Sequence, residues 1–170
     1  MSISATIVRT MPVLRMDLVD IDTWQGDWAW SMPLIVLNVL IHVCGLVFIN
    51  ERVIPVLSGA MLHRGFVMMF TVVIGVTTLL ATMLLALEAA TWTVAYLLLD
   101  ALPDFRSAML YSLSAITSYG HANLFLEPRW QLMGALEALN GMLLFGLTTA
   151  FLFAAVQRVL SLRSKGQDKS

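Results

Sequence analysis

Residues 111–121 read YSLSAITSYGH, and residues 129–157 read RWQLMGALEALNGMLLFGLTTAFLFAAVQ. A short apolar segment ends in Thr117-Ser118-Tyr119-Gly120, and a long apolar segment follows after a polar link. This order predicts a re-entrant helix, a few residues of non-helical backbone that climb back out, and a full crossing helix. Backbone without helical bonds is tolerated at membrane depth only where it lines water or is buried in protein. A polar break in this position therefore points to a place where something polar passes.

The rest of the chain fits a membrane. Of its 170 residues, 59% are hydrophobic and 12% charged, against roughly 25% charged in soluble domains. The net charge of −1 leaves no nucleic-acid footprint. The single cysteine, Cys44, can form neither an internal disulfide nor a cysteine zinc site and reads as a small buried hydrophobe. Residues 1–30 lack the basic start, apolar core and cleavage site of a secretory signal. Trp24, Trp28 and Trp30 precede the first long apolar run and read as an interfacial anchor.

About 20 apolar residues cross a hydrocarbon core, and three segments are that long. The first runs from about Pro33, a good first helical residue, to Ile54, with Pro55 as its stop. The second runs from about Gly65 to Leu99 and is longer than one crossing, so it either tilts or places its turns beyond Glu88 in the interface, where Trp92 and Tyr96 would be at home. The third runs from about Leu132 to Gln157. The stretch Phe105–Thr117 is too short to span, and its place between two spans favours a re-entrant helix. Six basic residues in the first loop and the tail (Arg52, Arg64, Arg158, Arg163, Lys165, Lys169) stand against Arg9, Arg15, Arg106 and Arg129 on the other side. The positive-inside rule then predicts a cytoplasmic C-terminus.

These residues carry a resemblance. Residues 111–157 resemble the pore module of the potassium channel family, a pore loop between two helices. The match consists of YSLSAIT before the filter, YG within it, and R-W-x-L-x-G-A-L-E-A-x-N-G entering the last helix. The leading span resembles the extra helix of small bacterial members. The resemblance implies an all-α membrane protein, three transmembrane helices plus a re-entrant pore helix. Its parts are an extracytoplasmic segment at 1–30, the extra transmembrane helix at 31–55, a pore-loop module at 65–160 and a cytoplasmic tail at 161–170. Within the module the outer helix covers 65–99, the pore helix 105–117, the filter 117–121 and the inner helix 131–158. It also implies a homotetramer in the lipid bilayer of a bacterial inner membrane, with K+ or another monovalent cation as permeant ion. It implies no cofactor, no other metal, no nucleic acid and no enzyme activity.

The family's filter reads T-T-V-G-Y-G-D, whereas here Thr117-Ser118-Tyr119-Gly120-His121 omits a Val-Gly pair. Extended backbone rises about 3.3 Å per residue, so roughly 6–7 Å of filter is lost. With fewer carbonyl rings to replace the ion's water, selectivity is expected to weaken. Tyr119 is expected to point away from the axis and brace the wall. His121, in the aspartate's place, titrates near pH 6.5, so external acid is expected to reduce cation current. The plainer role for His121 is a hydrogen bond within the loop.

Other residues carry alternatives. Glu88, the acid inside the second span, either holds the pore loop from behind or lies hydrated near the interface. Glu137 is expected to pack against the neighbouring pore helix and Asn140 to face water in the pore. Gly141 is either a hinge or a close-packing site beside the small row Gly146, Ala150 and Ala154. Asn38 and His42, one turn apart, are expected to form interhelical hydrogen bonds rather than a metal site. The alternative to a channel is a non-conducting, channel-derived scaffold or regulatory subunit. An intramembrane enzyme is disfavoured: His-Glu-x-x-His and paired aspartates are both missing from the sequence.

Overall fold

The computed structural model describes residues 3–61, 64–120 and 124–167, with side chains over 25–60, 64–120 and 124–161. His63 and His121 lie outside the described residues. Helix α1 spans Ile3–Phe48, and a π-helical turn at Ile49–Val53 joins it to α2, Ile54–Met61. Helix α3 spans Phe66–Leu98, α4 Phe105–Ile116 and α5 Gln131–Gln167, the last preceded by a 3-10 turn at Pro128–Trp130. Among the described residues there is no strand. Three stretches are long and apolar enough to cross a membrane: Gln25–Ala60, Phe66–Leu98 and Pro128–Ser161.

The first span differs from the sequence expectation at both ends. Pro33 lies inside α1 rather than at its start, and the helix does not stop at Pro55. Proline lacks an N–H and crowds the preceding turn, and the chain absorbs this by widening. The Ile54 N–H reaches back five residues to the Ile49 carbonyl. The next bond of that kind would join residue 55 to the Asn50 carbonyl, and Pro55 has no proton to give. Arg158 of α5 supplies it instead, donating to the Asn50 carbonyl at 3.0 Å and to Asn50 Oδ1 at 2.8 Å. The tail expected after residue 160 is helical as far as Gln167.

Helix α4 starts on a side-chain cap. Asp104 accepts from the Ser107 N–H at 3.0 Å and from the Ser107 hydroxyl at 2.8 Å. These bonds favour the charged carboxylate and hold its pKa below the ordinary value. From there α4 runs between α3 and α5. Tyr111 meets Gly134, Ser112 bonds Glu137, and the Ile116 backbone lies against Gly141. Both sets of numbers rise together, so α4 and α5 run in the same direction. Gly141 stands ten residues into α5, about 15 Å along it at 1.5 Å per residue. The α4 end is therefore well below the start of α5.

Two apolar clusters fill the interior. One, near α4, contains Ala89, Trp92, Tyr96, Leu102, Ile116 and Met133. The other, toward the α2 end, contains Leu46, Ile54, Met69, Val73, Ala155 and Val159. Trp92 and Tyr96 are fully buried, not interfacial, because α4 and α5 cover the last turns of α3. Trp28 and Trp30 are exposed on α1, while the side chain of Trp24 lies outside the described residues. Cys44 is exposed, contrary to expectation, because it falls on the face of α1 that no other helix covers.

Candidate functional site: the turn after the short helix and the buried polar network

The quoted TSYG stretch closes α4 as a helix cap. The Tyr119 N–H bonds the Ser114 carbonyl at 2.9 Å, and the Ser118 N–H bonds the Ala115 carbonyl at 2.9 Å. Ser118 has φ 53° and Gly120 φ 81°. This bonding pattern, with a left-handed residue after the last helical turn, is a Schellman motif. Thr117, with φ −86° and ψ 0°, is likewise turned rather than extended. The chain leaves the helical geometry at Ser118.

Thr117, Ser118, Tyr119 and Gly120 are all exposed on the single chain, Tyr119 by 87%. Thr117 and Ser118 edge an open groove of about 410 Å³ whose lining also includes Thr82, Leu85, Gly141 and Phe145. Thr82 stands at the middle of α3. Exposed Met83, Leu87, Leu139 and Met142 lie at neighbouring positions on α3 and α5. The turn thus lies beside the middle of α3 and next to Gly141 of α5.

Behind the turn lies a hydrogen-bonded interior. Glu137 of α5 is fully buried; it accepts from the Tyr96 hydroxyl at 2.6 Å and also bonds Ser112 of α4. The Ser112 hydroxyl is in addition 2.7 Å from the Ala89 carbonyl. One hydroxyl proton cannot serve both acceptors. The Ser112 proton therefore serves the Glu137 carboxyl or the Ala89 carbonyl at any one time. Three helices are tied together at this one carboxyl.

A second set lies farther along. His42 Nδ1 is 2.8 Å from Glu88 Oε1, and His42 Nε2 is 3.0 Å from the Thr148 hydroxyl. Both rings of contact are inside the bundle, and His42 and Glu88 are fully buried. The Thr91 hydroxyl lies 2.5 Å from Asn38 Oδ1 and 2.8 Å from the Glu88 carbonyl, with Asn38 Nδ2 at 3.5 Å from that same carbonyl. Asn38 and His42 thus make the interhelical bonds that their spacing suggested.

Several expectations are corrected. Glu88 neither holds the α4 turn nor sits hydrated near an interface; it pairs with His42, and the acid that ties α4 is Glu137. Asn140 is fully buried inside the chain, and neither amide atom has a hydrogen-bond partner there. Gly141 lies in unbroken helix, and a Cβ there would collide with the Ile116 backbone, as the close-packing alternative requires. Gly146, Ala150 and Ala154 form an exposed row. The His42–Glu88 pair was missed because residues 46 positions apart show no shared spacing. The available signal was weaker: each is an ionisable residue inside an apolar run.

No family model, curated protein or solved structure matches the chain. Among the described residues no group of three or more His, Cys, Asp or Glu side chains could hold a metal ion.

Proposed function

We propose that the chain is one subunit of a homotetrameric, potassium-channel-like channel that passes monovalent cations. In this reading α4 is the re-entrant pore helix and the turn after it faces a central axis. The observation that carries the reading is the exposed, turned backbone of Thr117–Gly120, level with Gly141 and beside exposed apolar side chains. The N–H groups of this turn are bonded back into α4, but any of its carbonyls left open to lipid would cost several kcal/mol, so water or another copy of the chain is expected to cover it. Fourfold assembly supplies both: a neighbour over the groove and an aqueous axis at the turn.

The Schellman closure leaves little extended chain between Thr117 and Tyr119, which favours few ion sites and weak selectivity. The test is cation flux from liposomes holding the purified protein, with potassium and sodium gradients compared. Saturable flux of both ions at similar rates supports the reading. Strong potassium selectivity breaks the short-filter argument, and no flux from a protein that is monomeric in membranes breaks the channel. A tetramer without flux favours the non-conducting scaffold, for which the bonded interior would be the purpose rather than the support.

A further inference from the structure

The two halves of the interior differ in chemistry, and the difference has a direction. On α1, Asp27, Ser31, Asn38 and His42 are buried at spacings of four, seven and four, which places them along one stripe. On α3 the stripe continues with Tyr96, Trp92 and Glu88, and on α5 with Glu137, Asn140 and Thr148. The Tyr96–Glu137 bond fixes one level and the His42–Glu88 and His42–Thr148 bonds fix another. Trp92 and Asn140 fall between these levels on their own helices.

Several polar atoms along this stripe have no hydrogen-bond partner: Asp27 Oδ1, Ser31 Oγ, Trp92 Nε1, Glu88 Oε2 and both amide atoms of Asn140. Buried polar atoms are ordinarily paired, and those that are not pair with water. The titratable groups facing the stripe are Asp27 and His42 from α1, Glu88 and Tyr96 from α3, Tyr111 from α4 and Glu137 from α5.

Below His42 the polarity stops. Leu46, Ile49, Val73, Ala81 and Ala155 close the interior. Among the described buried residues of that half, polarity is limited to the hydroxyls of Ser58 and Thr77. From Asp27 to His42 is fifteen residues of helix, about 22 Å.

We propose that the interior of the bundle is a proton-access path, open at the α4 end and ending on the His42–Glu88 pair. The ligand is the proton, carried between side chains by single waters. Each hop forms an O–H or N–H bond on one group as the same bond breaks on its neighbour, so no charge is made or lost along the path. At its end, the imidazole and carboxyl hold one proton or two. The second proton leaves by the way it came, because apolar side chains block the far side. The path lies within one chain and does not depend on the channel reading.

The test is infrared spectroscopy of the full-length protein in lipid bilayers. A protonated-carboxyl band that appears on acidification, vanishes in Glu88→Gln and shifts in His42→Gln identifies the pair; the second variant serves if the first does not fold. If no band lost in Glu88→Gln changes with pH between 4 and 9, the site is overturned. After transfer to deuterium oxide the band's exchange rate reads access. Ser31→Val puts methyl groups into the stripe in place of a hydroxyl that has no partner. It is expected to slow exchange at least tenfold while leaving the pH endpoint and the thermal stability unchanged. Exchange at the wild-type rate in that variant overturns the α4-end route.

Discussion

The α4 half of the bundle and the α2 half are both buried, yet different forces hold them. Toward α4, Glu137 gathers Tyr96 and Ser112, and His42 gathers Glu88 and Thr148. Toward α2, side chains such as Ile54, Met69, Val73 and Val159 interlock without hydrogen bonds. In lipid, apolar side chains gain little from leaving the solvent, so packing fit and buried hydrogen bonds carry helix association. The lesson is that one half specifies which helices meet and the other only how closely. The polar half is also the half that holds the short helix and its turn.

The largest expected effect comes from the carboxyl that ties three helices. Glu137→Ala leaves the Tyr96 hydroxyl buried without its acceptor, Ser112 keeping only the Ala89 carbonyl, and is expected to cost about 3 kcal/mol. Denaturant titration in mixed micelles measures this. A loss under about 1 kcal/mol would mean that the polar half is not what specifies the contact. Next comes Gly141→Ala, which drives a methyl group into the Ile116 backbone and is expected to cost about 2 kcal/mol by forcing α4 from α5. Protease cleavage near residue 119 reads the displaced turn directly; an unchanged cleavage rate would show that α4 adjusts freely.

In the apolar half, Ile54→Val removes one methylene from a residue 1% exposed and is expected to cost about 1 kcal/mol. If this variant proves more damaging than Glu137→Ala, the comparison is inverted. The smallest effect is at the exposed start of α4. The Ser107 bonds hold the Asp104 pKa below its ordinary 3.8. Its contribution is therefore present above that value and lost as pH falls through the lower, folded one. Asp104→Ala is expected to flatten the acid side of the stability profile between those values and to leave neutral-pH flux unchanged. A profile as steep as that of the wild type would assign the slope to other carboxylates.

The three long helices were legible because twenty or more apolar residues in a row have one stable form in lipid. The end of α4 was legible for a related reason: a serine and a glycine follow its last apolar turn, where the chain needs positive φ. Helix ends on α1 were not. A proline's usual reading as a start or stop holds when water can take up the freed carbonyl. In this bundle a π turn and Arg158, 108 residues from Asn50, do so for Pro55. The burial of Trp92, Tyr96 and Asn140 was equally hidden, because it depends on which faces of α3 and α5 the short helix covers.

Apolar run length and the turn residues after Ile116 thus settled, with no tertiary information, that this chain is a set of membrane-length helices with a short one between. Only packing decided that Glu88 belongs to His42, that Glu137 belongs to Ser112 and Tyr96, and that polarity ends halfway through the interior. The physical reason is range. Helix formation in lipid is set by neighbours within one or two turns, whereas the partner of a buried charge is whichever distant helix the whole fold brings beside it.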